Sequence, residues 1–205
     1  LNEFDKLVKS LKSFKLSKCH VHQTISISDY IYELLLALDV PYDVTIHDFY
    51  YICPRINLYM PGYGYCGVPN VNTCNDCLAL SPINLSAADK SIQWWRGKMS
   101  SLLIGAENIY APSVWASSEI KKAFPFLDIT VVPHEQNIRI QGLIKKSLTR
   151  VAILGVLADI KGQKIVKEII ALIEDKSLSF EIVLIGYSLD NILASQYFFQ
   201  TGSYN

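Results

Sequence analysis

The sequence predicts an α/β protein in which parallel sheets are flanked by crossover helices. Three observations predict it. Segments with apolar residues at helical spacing alternate with short β-branched runs. The run Val44–Thr45–Ile46 leads into His47 and Asp48, at the strand end where open α/β sheets take their ligands. After a polar and basic linker, a second strand–helix–strand unit runs from RVAILGV to FEIVLIGY.

Each element has its own signal. Residues 3 to 16 place Phe4, Leu7, Leu11 and Phe14 three and four apart with lysines opposite, an amphipathic helix with a solvated basic face. CHVHQT, Cys19 to Thr24, reads as a strand with His20 and His22 on one side. Ser28 or Asp29 can cap a helix carrying Ile31, Leu34, Leu35 and Leu38, which Pro41 ends. Val44 to Ile46 is the second strand, short and buried. Residues 54 to 86 hold four prolines, three glycines and five asparagines and read as a long functional loop. Helical spacing resumes from Ala87 to Ala106. NIYAPS gives a strand over Ile109–Ala111, and Ser113 caps a helix to about Ala123. A strand over Ile129–Val132 stops at Pro133, and the pattern lapses from 135 to 149, where a domain boundary is expected. RVAILGV, a helix from about Lys164 to Glu174, and FEIVLIGY complete the second unit.

The bulk numbers narrow the function. Half the residues are hydrophobic, enough for a substantial core. Lys plus Arg and Asp plus Glu stand at 19 each, which argues against a general nucleic-acid binder. No apolar run reaches the ~18 residues of a membrane span, and no secretory signal is visible. Five cysteines, an odd number, do not suggest a secreted disulfide framework, so a cytoplasmic protein is expected, one that can sit at the inner membrane periphery. The chain opens on Leu1, not Met, and reads as part of a longer protein.

Several side chains carry candidate chemistry. His47 at a strand end can hydrogen-bond a hydroxyl or pass a proton near neutral pH, and Asp48 can orient it or bind an acceptor. The bland alternative has His47 packing there and Asp48 capping a turn. His22, Arg55 and His134 are lesser candidates for the same mouth. Arg55 is equally suited to pair with Asp48 or a loop carbonyl, and Arg96 to bury its stem. In LGVLADIKG, Gly155 and Gly162 permit close backbone approach and Lys161 offers an ammonium, features that suit a phosphate or an ordinary strand-to-helix turn. Cys53, Cys66, Cys74 and Cys77 are separated by twelve, seven and two residues; they either hold structural zinc or remain free, partly buried thiols.

VTIHDFYYICPR, the cysteine loop, IQWWRGKMSSLLIGAENIYAPS, FPFLDITVVPH and VAILGVLADIKG, in this order, resemble glycosyltransferases of the GT-B fold, specifically the large retaining group called family 4. The resemblance covers most of residues 20 to 165. It implies Rossmann-like parallel sheets in two lobes facing a cleft, both incomplete here. Residues 1–140 would be the later part of the N-terminal, acceptor-side lobe with its cysteine loop at 53–80, and 150–205 the start of the nucleotide-sugar lobe. It implies a bacterial enzyme moving a sugar from a nucleotide-diphosphate sugar to a glycan or lipid-linked acceptor, with no cofactor needed for the chemistry. By resemblance His47 contacts the donor sugar, and Gly155, Lys161 and Gly162 hold the diphosphate. Val156 stands where the family carries Arg or Lys, and no Glu-x7-Glu segment follows before Asn205. A non-catalytic binding or scaffolding module with this fold is the alternative. A nicotinamide-dependent dehydrogenase lacks G-x-G-x-x-G and its ribose-binding acid.

Overall fold

Two parallel sheets organise the computed structural model of the protein. Residues 2–25, 27, 30–60, 62–80, 91–133, 149–189 and 195–203 are described. The chain divides into two units, Leu1–Gln136 and Asn137–Asn205. In the first, the order is α1 (Glu3–Ser13), β1 (Cys19–Val21), α2 (Ile31–Leu38), β2 (Tyr42–Thr45), β3 (Tyr59–Met60), β4 (Gly64–Tyr65), α3 (Val71–Leu80), α4 (Ile92–Ile104), β5 (Asn108–Ala111), α5 (Val114–Ala123) and β6 (Thr130–Val131). In the second it is β7 (Thr149–Leu154), a 3-10 turn Asp159–Lys161, α6 (Gln163–Asp175), β8 (Phe180–Ile185) and β9 (Phe198–Gln200).

The first sheet runs β1-β2-β5-β6 with every pairing parallel. Its strands alternate. Val21, Tyr42, Val44, Ile46, Ile109 and Ala111 enter one core with Ile31 and Leu35 of α2, Trp95, Met99 and Leu102 of α4 and Ile120 of α5. The residues between them, His20, His22, Thr45, His47, Asn108 and Tyr110, are exposed or half-buried. Parallel sheets are usually covered on both faces, so a polar, accessible face is the distinguishing feature of this unit. At its amino-terminal edge, Lys18 Nζ lies 2.9 Å from Asp43 and 2.9 Å from Glu107, and Asn108 Nδ2 donates to Asp43 at 2.8 Å.

Three local expectations change. The α2 helix ends at Asp39, which takes a left-handed φ of 57°, before Pro41 is reached; Ser28 and Asp29 lie outside the described residues. The strand expected from Val44 begins two residues earlier at Tyr42. The stretch expected as a long loop contains an antiparallel hairpin, β3–β4, and the ten-residue helix α3. Asn70 starts that helix, its Oδ1 accepting the Thr73 N–H at 3.1 Å. Cys74 and Cys77 therefore stand on a helix and not in a loop.

The turn after β2 is tightly held. Asp48 Oδ1 accepts the Tyr50 N–H at 2.9 Å, Phe49 N–H donates to Ile56 O at 2.9 Å, and the buried Trp95 donates from Nε1 to Tyr50 O at 2.7 Å. Ser113 caps α5 as its sequence predicts, accepting the Ala116 N–H at 3.1 Å. The second unit is the parallel sheet β7-β8-β9 with α6 against it; Val166, Ile170 and Ile173 meet Ile182 and Leu184. Among the described residues no helix is long and apolar enough to cross a membrane.

Candidate functional site

Alternation along β1 and β2 builds the site. The register pairs His20 with Asp43 and Val21 with Val44, so the side chains between the valines emerge together on the polar face. His20 Nε2 and Thr45 Oγ1 are hydrogen-bonded at 2.8 Å. One step further along, His22 Nδ1 and His47 Nε2 are 2.9 Å apart. The three rings form a ladder: His20 and His22 stack with centroids 4.3 Å apart, and His22 and His47 with centroids 5.2 Å apart. Tyr110 on β5, opposite Thr45 in the register, brings its ring centroid to 6.0 Å from that of His20.

These groups line a cavity of about 480 Å³ that extends past the strand ends to Pro112 and Val132. Its volume falls within the ~300–1,000 Å³ of small-molecule sites. Imidazole nitrogens, a threonine hydroxyl and a phenol suit a ligand rich in hydroxyls, because each group can donate or accept. Asp43 stands at the far end of the cavity as a carboxylate. Its hydrogen bonds from Lys18 and then Asn108 hold it below its ordinary pKa, and Asp43 and Glu107 raise Lys18 in return.

The other sequence candidates fall in different places. Asp48 anchors the turn beyond His47 by accepting the Tyr50 N–H. Arg55 lines the cavity of the cysteines, its Nη2 donating to Cys77 O at 2.7 Å, and Arg96 Nε donates to Ile52 O at 3.1 Å. His134 lies outside the described residues. In the second unit Gly155 follows β7 with φ +102°, and its N–H donates to Ile185 O at 2.9 Å. Lys161 closes the 3-10 turn with its side chain exposed, and Gly162 takes φ +82°. The amides of Lys161, Gly162 and Gln163 are bonded back to Ala158 O, Asp159 O and Ala158 O. What this turn offers an anion is therefore the Lys161 ammonium more than those three amides.

Cys53, Cys66, Cys74 and Cys77 line one cavity of about 20 Å³. Burial pushes the Cys53 thiol up to about 11 and also raises Cys74. Among the described residues, no group of three or more His, Cys, Asp or Glu is arranged to hold a metal ion. Here the four are free thiols, one of the two states that their sequence allows.

Thr45, Asp43 and Tyr110 were absent from the sequence candidates. Their signal is the alternation in DVTIH and NIYA, where every second residue is polar or amphipathic. A second omission is Gly186, whose backbone lies against Gly155. No protein-family model and no curated protein matches the chain.

Proposed function

We propose that the chain is part of a retaining glycosyltransferase of the GT-B type, similar to family 4, that moves a sugar from a nucleotide-diphosphate donor to a glycan or lipid-linked acceptor. The observation that carries this reading is the hydrogen-bonded His22–His47 pair, at the carboxyl end of a parallel sheet and facing a cavity of about 480 Å³. Sugar hydroxyls match that wall, and the carboxyl end of the strands is where α/β folds present ligands. In the transfer, the bond from the anomeric carbon to the diphosphate breaks and a bond to the acceptor oxygen forms. The acceptor's hydroxyl proton is released, and negative charge develops on the departing diphosphate. His47 hydrogen-bonds the transferred sugar, with His22 setting its ring orientation. Gly155, Lys161 and Gly162 form the diphosphate turn, where the exposed Lys161 meets the phosphate oxygens. Asp48 acts on this reading as a positioning residue through the turn it holds.

A second reading, a binding module that keeps the fold without catalysis, is favoured by Val156 at the place of a cation and by the internally bonded amides of the second unit. Calorimetry with UDP and GDP on a version carrying both complete lobes, followed by a transfer assay with nucleotide sugars, tests the proposal. Nucleotide binding with turnover that falls in His47→Ala supports it. Absence of nucleotide binding overturns it, and binding without turnover leaves the module reading in its place.

A further inference from the structure

Four of the five cysteines gather in the first unit from three separate pieces of backbone. Cys53 closes the turn after β2, its N–H donating to Phe49 O at 3.0 Å. Cys66 follows β4, its N–H donating to Leu58 O at 2.9 Å. Cys74 and Cys77 stand three residues apart on α3, a spacing that puts both on one helix face. All four line the same cavity of about 20 Å³, room for a single small occupant. Two cations border it. Arg96 Nη2 is 3.6 Å from Cys74 Sγ, and Arg55 lines the cavity while donating to Cys77 O.

We propose that Cys53, Cys66, Cys74 and Cys77 are the ligands of one zinc ion that clamps the segment from Cys53 to Cys77 onto the first unit. Leu58 anchors the middle of the segment in the core, but the helix that carries Cys74 and Cys77 is less deeply set. No residue of α3 is buried, and Ile56, Val68, Val71 and Leu78 pack against the core only partly buried. Ile56 and Val68, both β-branched, take left-handed φ values of 63° and 56°, conformations that persist only where the surroundings over-determine them. A metal clamp supplies that constraint where hydrophobic burial is thin.

Zinc with four thiolates is tetrahedral, with Zn–S bonds of about 2.3 Å. Binding forms those four bonds and releases four thiol protons, with no change of oxidation state. Four thiolates and one divalent cation leave two negative charges, which the guanidiniums of Arg55 and Arg96 neutralise. Among the described residues the thiols are not at ligand spacing; the ion draws the sulfurs inward. The inference does not depend on the glycosyltransferase reading.

The test is the zinc content of the chain, purified without chelator, dialysed with zinc sulfate and desalted, with circular dichroism to confirm folding. The expected result is about one zinc per chain, kept in Cys19→Ser and reduced to less than about one-tenth in Cys77→Ser. A measurement on the unmutated protein covers variants that fail to fold: Ellman's reagent should find about one reactive thiol, Cys19, before a strong chelator is added and about five after it. Folded unmutated protein with less than about one-tenth zinc overturns the proposal. So does a disulfide among the four cysteines, or zinc retained by folded Cys77→Ser.

Discussion

His22 Nδ1 and His47 Nε2 stand 2.9 Å apart, so one hydrogen bond joins two rings delivered by neighbouring parallel strands. One ring must donate and the other accept, and each thereby fixes the tautomer of its partner. The pair has a definite orientation although both residues are exposed. Removing His47 should lower ligand affinity or transfer rate by about 10–100-fold, the value of one or two directed hydrogen bonds. His22→Ala should do so more mildly, by loosening His47. Neither should move the unfolding midpoint appreciably, and parallel binding and thermal-melt measurements separate the two effects.

Tyr42 donates its hydroxyl to Leu102 O at 2.7 Å inside the core, and burial pushes the phenol up to about 12. A Cβ on Gly105 would come within 2.4 Å of that oxygen. Gly105→Ala is therefore expected to cost about 1–3 kcal/mol through overpacking. Tyr42→Phe should cost about 1 kcal/mol for the lost bond to a buried carbonyl. The double variant should be less destabilised than the sum, because the phenylalanine removes the obstructing oxygen. Urea unfolding of all four proteins gives the coupling directly.

Gly186 takes φ +140°, and a Cβ there would lie 2.0 Å from Gly155 O. Backbone and not a flexible side chain obstructs the space. Gly186→Ala should therefore destabilise the second unit by roughly 3 kcal/mol or more, from the backbone conformation and the clash together. Amide exchange should show lost protection in β7 and β8 with the first unit unaffected.

Asp43 titrates below its ordinary value because Lys18 and Asn108 bond its carboxylate. A carboxyl depressed in the folded state contributes stability that is present above the unfolded value of about 3.9 and lost as pH falls through the folded value. Asp43→Asn should thus lower the melting temperature at neutral pH and flatten its decline in acid. Lys18 is raised by Asp43 and Glu107, so its contribution is complete below the unfolded value of about 10.4 and fades as pH rises through the folded one. Melting curves from pH 2 to 11 on both proteins check the two limbs.

Much of the fold was legible because its elements carry strong local patterns. Ser113 capped α5 as expected, and the β-branched runs of β5, β7 and β8 formed strands close to their predicted bounds. The helix α3 was not legible. VNTCNDCLAL is rich in Asn, Thr and Cys, which favour a helix weakly, and proline and glycine on its amino-terminal side read as loop. Within the site, DVTIH looked like a wholly buried strand because its valine and isoleucine dominate the reading. Its threonine and histidine instead emerge on the open face, a pattern commoner in antiparallel sheets, while its aspartate is buried against Lys18 and Asn108. That His22 reaches His47 depends on strand register, which no single segment encodes.

The Lys18 ammonium, gripping Asp43 and Glu107 at the amino-terminal edge of the sheet, has a consequence at the opposite edge. Shifting β2 by one residue would turn the Asp43 carboxylate into the core in place of Tyr42 and Val44 and separate it from its cation, a heavily penalised exchange. The same shift would carry Thr45 and His47 to the wrong side and dissolve the imidazole ladder. The ion pair thus reinforces the phase that the apolar alternation gives the strands, and the alignment of His22 with His47 is coupled to a carboxylate at the other end of β2.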